Sequence, residues 1–243
     1  MYSISIVNYY NTTPFLFGLN RSTLKNQLDI QLDIPSVCAQ KLKSKTVDIG
    51  LVPVAILPKL ENYYIISDYC IGANGKVDSV KLFSNKPLNE ITHILLDYQS
   101  RTSVTLVQVL NTHFWKLPIQ FIDAKQGFEK EIHDTTGAVI IGDRTFGLTE
   151  YPYQYDLAEE WKKHTGLPFV FACWVSNKPL DPKFVSEFNA VLADGVNHID
   201  EAVAEKPIHI KGFDAIDYLK HKISYDLNDD KRKALKLFLE LMG

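Results

Sequence analysis

Three cysteines, Cys38, Cys70 and Cys173, are too few, too widely spaced and odd in number for a disulfide framework. Each sits in an apolar context, as small buried hydrophobes do in a reducing compartment. Basic side chains are not in excess either. The 26 Lys and Arg against 29 Asp and Glu leave a formal net charge of −3, without the basic face a nucleic-acid binder needs. No apolar run approaches the roughly 18 residues of a membrane span. The longest runs, 49–57 and 167–175, have the length of buried strands. The opening residues, Met-Tyr-Ser-Ile-Ser-Ile-Val, carry no basic segment and no long apolar core, so a cytoplasmic protein is expected. The histidines (93, 113, 133, 164, 198, 209, 221) never pair at metal-ligand spacing, and no zinc site is expected. There is no Gly-x-Gly-x-x-Gly, no Walker A loop and no Gly-x-Ser-x-Gly elbow, which removes the usual nucleotide and hydrolase arguments. What is present is ordinary globular material, 46% hydrophobic and 23% charged over 243 residues, enough for one large domain or two lobes.

Strand and helix signals alternate along the chain. Ser3–Asn8 is β-branched, Leu28–Asp33 alternates apolar with polar, and Val47–Val52 runs apolar throughout, as a buried parallel strand does. A polar turn follows the first of these, and Pro35 opens a helix before the third. The pattern then recurs. Ile91–Leu96, a helix from Ser100 with Val104, Val107, Leu110 and Phe114 on one face, Ile119–Ile122, a second helix and Ala138–Ile141 form another βαβαβ unit. Asn11 precedes Asp48, and Ser100 precedes Gly137, by the same 37 residues. Two similar α/β lobes are therefore expected, with crossovers near 84–90 and 176–179. Residues 1–86 and 178–243 form the first lobe and 87–177 the second. Asp156 as N-cap and Gly166 as terminator frame a clear helix. Asp181-Pro182 starts a long helix, and a last one spans about 229–241, both returning to the first lobe.

Parallel α/β sheets bind ligands beyond the carboxyl ends of their strands, and two facing lobes make a cleft there. The segments at those ends are Asn11-Thr12-Thr13, Asp78-Ser79, Ser100-Arg101-Thr102-Ser103 and Gly142-Asp143-Arg144. Hydroxyls and free N–H groups at a helix start suit a carboxylate or phosphate. Plain N-capping by Ser or Thr accounts for the same residues without a ligand, and Asp143 has the position of a cap as well. From the residues alone the chain reads as a two-lobed protein binding a small anion without metal or nucleotide. Enzyme and binding protein both remain open.

At these same loops the sequence resembles the chorismate dehydratases of the futalosine route to menaquinone. The resemblance is carried by Val7-Asn8-Tyr9-Tyr10-Asn11-Thr12-Thr13-Pro14-Phe15, Asp48-Ile49-Gly50-Leu51-Val52-Pro53-Val54, Ser100-Arg101-Thr102-Ser103-Val104, and Asp156-Leu157-Ala158-Glu159-Glu160-Trp161-Lys162 with Thr165-Gly166-Leu167-Pro168. Ser79-Val80-Lys81-Leu82-Phe83-Ser84 and Ile141-Gly142-Asp143 add to it. Together these run in the family's order to about residue 175; beyond that only helical character is shared. The resemblance implies a two-lobed, periplasmic-binding-protein-like (type II) α/β fold with a ligand cleft between the lobes. It implies a cytoplasmic lyase that converts chorismate into 3-[(1-carboxyvinyl)oxy]benzoate and water, with no cofactor and no metal. It also implies catalytic roles for Asn11 and Asp143 and substrate contacts for Thr12, Ser79, Ser100, Thr102 and Ser103. The chain departs from the family at Asn8, where Ser is frequent, and at Asp78, where a basic residue is usual. Two other readings are the sister dihydroxynaphthoate synthase of the same route, which relies on a cleft histidine, and a solute-binding protein for a small anion.

Overall fold

The computed structural model describes all 243 residues. Eleven strands form two sheets. In chain order they are β1 (Tyr2–Val7), β2 (Leu28–Asp33), β3 (Ile49–Pro53), β4 (Tyr64–Ala73), β5 (Val80–Ser84), β6 (His93–Leu96), β7 (Gln120–Asp123), β8 (Thr136–Ile141), β9 (Tyr153–Asp156), β10 (Phe169–Ser176) and β11 (Ser224–Asp226). One sheet has the order β11-β4-β10-β3-β1-β2, the other β7-β6-β8-β5-β9. In each, the first strand of the βαβαβ unit lies between its two parallel partners: β1 between β2 and β3, β6 between β7 and β8. The equal 37-residue spacing reflects this repeated arrangement.

The fourth position of each repeat is filled by exchange. β10 lies antiparallel between β3 and β4, and β5 lies antiparallel between β8 and β9. β5 therefore belongs to the second lobe and β10 to the first, the reverse of the expected assignment. The connections between lobes fall at 74–79 and 157–168 rather than near 84–90 and 176–179. Both strands are almost wholly buried. Burial on both faces declares a central strand but does not say which sheet it is central to.

The helices follow their sequence signals closely. They are α1 (Thr13–Arg21), α2 (Pro35–Lys43), α3 (Thr102–Leu110), α4 (Leu157–Thr165), α5 (Pro182–Asn197) and α6 (Ile199–Glu205), with a C-terminal helix over Asp229–Leu241. The Asp156 carboxylate accepts the Ala158 and Glu159 N–H groups at the start of α4, and Gly166 ends that helix in the left-handed region at φ 73°. The helix expected between β7 and β8 is only a turn, Phe128–Glu131, introduced by Gly127 at φ 91°. Its Phe128 and Ile132 instead plug one face of the second sheet against Phe83, Leu95, Ala138 and Ile140.

Helix α1, which carries the loop after β1, packs against α5 at two glycines. A Cβ on Gly195 would overlap the Pro14 carbonyl, and one on Gly18 would overlap the Val191 carbonyl. Backbone meeting backbone leaves no flexible side chain to yield. Gly195→Ala is therefore expected to lower stability by about 1–3 kcal/mol or more. It should also displace the 8–13 loop. Denaturant unfolding and a crystal structure of the variant would check the two effects, and unchanged stability with an undisplaced loop would refute this packing.

Candidate active site

The carboxyl ends of β1, β3, β6 and β8 converge between the lobes, where the 74–79 connection also passes. There they enclose a cavity of about 60 Å³. Its wall takes in Asn11, Ser79, Ser100, Thr102 and Ser103, with apolar surface from Val7, Pro53, Ile71, Val77 and Phe171. Ligand pockets run to roughly 300–1,000 Å³, so a ring-sized ligand requires the lobes to part.

Hydrogen bonds between the lobes hold them together. The Thr102 hydroxyl donates to Phe171 O at 2.9 Å and accepts the Ala55 N–H at 3.3 Å. Ser36 N donates to Gln99 O at 3.1 Å, and the Tyr9 hydroxyl donates to Gln99 Oε1. The Asp143 carboxylate accepts the Tyr10 N–H through both oxygens, at 2.9 and 3.1 Å. Thr102 thus spends its hydroxyl on a tie between lobes rather than offering it to a ligand. Ser100 Oγ caps α3 by accepting the Ser103 N–H at 3.0 Å, while Ser103 Oγ enters no hydrogen bond with the protein.

Two of the expected residues stand outside the wall. Thr12 is fully buried, its hydroxyl bonded to Val7 O and Tyr9 O at 2.8 Å each, and it shapes the loop instead of facing the cavity. Asp143 lies behind the wall on its Tyr10 bond, and burial raises its carboxyl above the usual aspartate range. The departures from the family pattern also lie off the cavity. Asn8 is exposed. Asp78, at φ 64°, turns its carboxylate to Lys76 and Lys81 at 3.0 and 3.1 Å.

Asn11 is held through its backbone. Its carbonyl accepts the Tyr225 hydroxyl at 2.9 Å, and its side-chain Oδ1 is buried without a protein partner. The Tyr218 hydroxyl donates to Ser79 Oγ at 2.8 Å. Neither tyrosine stood out in the sequence, because both lie in the C-terminal segment, where no strand end or periodic face marks them. No Lys, Arg, His, Asp or Glu lines the cavity. Its one titratable wall residue, Tyr9, is pushed above the ordinary phenol range by burial and stays neutral. The Arg144 guanidinium, whose charge acts on Tyr9, pairs with Asp97 and Glu129. The cavity can therefore hold, orient and desolvate, but no strong protein acid or base reaches into it.

A sequence model of the family described as menaquinone biosynthesis matches residues 2–243. The chain is 24% identical to a chorismate dehydratase of Thermus thermophilus, over 100% of this chain and 95% of that one. It is 27% identical to a chorismate dehydratase of Campylobacter jejuni, over 96% and 94%. In structure it is similar to a Candida albicans protein, CA3427, described as having the generic periplasmic binding protein fold. The TM-score is 0.64 at 13% identity, covering 100% of this chain and 90% of the other.

Proposed function

The chain belongs to the menaquinone biosynthesis family, and from that membership we propose that it is a chorismate dehydratase. The reaction releases water from chorismate and leaves 3-[(1-carboxyvinyl)oxy]benzoate, serving the futalosine route in the cytoplasm. One observation carries the mechanism: the cavity wall offers hydroxyls, an amide and apolar surface but no ionised side chain.

That composition suits an elimination whose product is aromatic. The ring C–H bond beside the ether oxygen breaks, the neighbouring C–O bond breaks, and the ring gains aromatic stabilisation. The driving force lies in the substrate, so the protein's task is orientation and placement of one proton. With no side-chain base in the wall, the carboxylate of the substrate's enolpyruvyl arm takes the proton and the departing hydroxyl removes it as water. Asn11 orients that carboxylate and the hydroxyl. Ser79 and Ser103 hold carboxylate oxygens, helped by the amides at the start of α3. Ser100 and Thr102 shape that helix start, Thr12 fixes the Asn11 loop, and Asp143 acts from behind the wall by holding Tyr10. Keeping arm and ring apart in this way also blocks the competing rearrangement of chorismate to prephenate.

The deciding experiment is to mix the protein with chorismate and follow the ultraviolet spectrum. Appearance of the benzoate product supports the dehydratase. An unchanged spectrum with measurable binding means a solute-binding protein. No histidine lines the cavity, which leaves the sister synthase without its base. Ser103→Ala is expected to lower kcat/KM about 10- to 150-fold, the equivalent of roughly 1.5–3 kcal/mol for a hydrogen bond to a charged group. An unchanged kcat/KM would remove Ser103 from the carboxylate site.

A further inference from the structure

Tyr218 lies 139 residues from Ser79 in sequence, yet its hydroxyl donates to Ser79 Oγ at 2.8 Å in a fully buried contact. Its ring is clamped edge-on by Phe146, 5.0 Å between centroids, and by a tilted Phe213 at 5.4 Å. Phe146 and Phe213 stack on each other at 3.9 Å, which closes the cluster. Burial raises the phenol above the ordinary tyrosine range, so it keeps its hydrogen at any working pH.

The backbone of Ser79 is equally constrained. Its carbonyl accepts the Gly142 N–H at 2.8 Å, and the two preceding N–H groups, of Val77 and Asp78, are bound by the Asp156 carboxylate. The remaining freedom is rotation of the Ser79 hydroxyl. A serine hydroxyl has one hydrogen to donate, and a phenol has one. With the phenol hydrogen directed at the serine oxygen, the serine hydrogen must point elsewhere, and the open side is the cavity.

We infer that Tyr218 is a positioning residue that fixes Ser79 as a hydrogen-bond donor toward an anionic oxygen of the ligand. The inference rests on the dehydratase reading only for the identity of that anion, a carboxylate of chorismate. Ser79 alone can donate or accept. Backed by Tyr218 it is preset to donate, so no rotor has to be ordered when the carboxylate arrives. The same preset favours a carboxylate over a neutral group that would itself donate to Ser79.

The test compares wild type, Tyr218→Phe, Ser79→Ala and the double variant. Tyr218→Phe is expected to raise KM for chorismate about tenfold with kcat within about threefold, because the contact is present before and during reaction. The double variant should match Ser79→Ala alone, as coupled residues do. An unchanged KM in Tyr218→Phe, or an effect fully additive with Ser79→Ala, overturns the inference. Replacing Tyr218 with 3-fluorotyrosine strengthens the donor while the ring keeps its packing. It is expected to lower KM, whereas a purely structural tyrosine predicts no change. If wild type fails to turn over chorismate, the functional reading falls. Benzoate affinity, measured by calorimetry on the same proteins, then decides this one. A tenfold loss in Tyr218→Phe sustains it, and equal affinities, or no benzoate binding by wild type, end it.

Discussion

Asn11→Ala is expected to lower kcat for chorismate by about 10²–10³ while KM moves only a few-fold, the size of loss seen when a transition-state hydrogen-bonding group is removed. Asn11 Oδ1 is buried without a protein partner. A buried acceptor in that state costs about 1–3 kcal/mol unless a ligand supplies a donor. The ring hydroxyl of chorismate is such a donor, and the other end of the same carboxamide can donate to the arm carboxylate. Asn11 would thereby hold leaving group and base in one geometry, a contact worth most as the C–H and C–O bonds break. Asp143→Asn is the companion measurement. An asparagine oxygen still accepts the Tyr10 N–H, so turnover should persist within about tenfold of wild type, a loss of about 1.4 kcal/mol. Full loss in Asp143→Asn with the fold intact would make Asp143 the base, and the substrate-assisted mechanism would have to be abandoned. A large rise in KM with unchanged kcat in Asn11→Ala would assign Asn11 to ground-state binding instead.

The parts of this site that could be read in the sequence are those set by strand periodicity. Asn11 follows β1 and Ser100–Ser103 follow β6, and parallel strands deliver their carboxyl-end loops to one edge of a sheet. Locating the strands therefore located the loops. Side-chain direction within a loop is another matter. Thr12 and Asp143 sit in the right loops, but Thr12 turns back to Val7 O and Tyr9 O, and Asp143 turns to the Tyr10 N–H. A short polar side chain can satisfy local backbone groups as readily as a ligand, and its spacing does not distinguish the two. Tyr218 was illegible for the opposite reason. Its role depends on a contact across 139 residues that no local pattern encodes. The exchange of β5 and β10 between sheets was hidden similarly, since pairing partners of a fully buried strand are a tertiary property. The α1–α5 contact at Gly18 and Gly195 also exists only once both helices are in place.

Asp156→Ala is expected to destabilise the protein by about 2–5 kcal/mol and to loosen the coupling between the lobes. Asp156 is 3% exposed, and its carboxylate accepts four backbone N–H groups. Ala158 and Glu159 belong to the start of α4, on one connection between the lobes, while Val77 and Asp78 belong to the other. The bonds to Val77 and Asp78 are 2.9 and 2.7 Å long. One side chain thus ties both connections at a single point, next to Ser79. Alanine removes a helix cap, worth about 1 kcal/mol, and strands two further donors at about 1–3 kcal/mol each, partly relieved where water enters. The pH dependence tests which force dominates at this carboxylate. Burial, opposed by the N–H donors of Val77, Asp78 and Glu159, leaves its pKa raised to about 6, above the ordinary aspartate value of about 3.9. The folded protein then binds this proton more tightly than the unfolded chain. The stabilisation from that difference is complete below about pH 4 and is lost as pH rises through about 6. Urea unfolding at pH 4.5 and 7.5 should therefore show the gap between wild type and Asp156→Ala narrowing as pH rises. A gap that widens instead would mean that the N–H donors outweigh burial and hold Asp156 ionised, reversing the sign of its contribution.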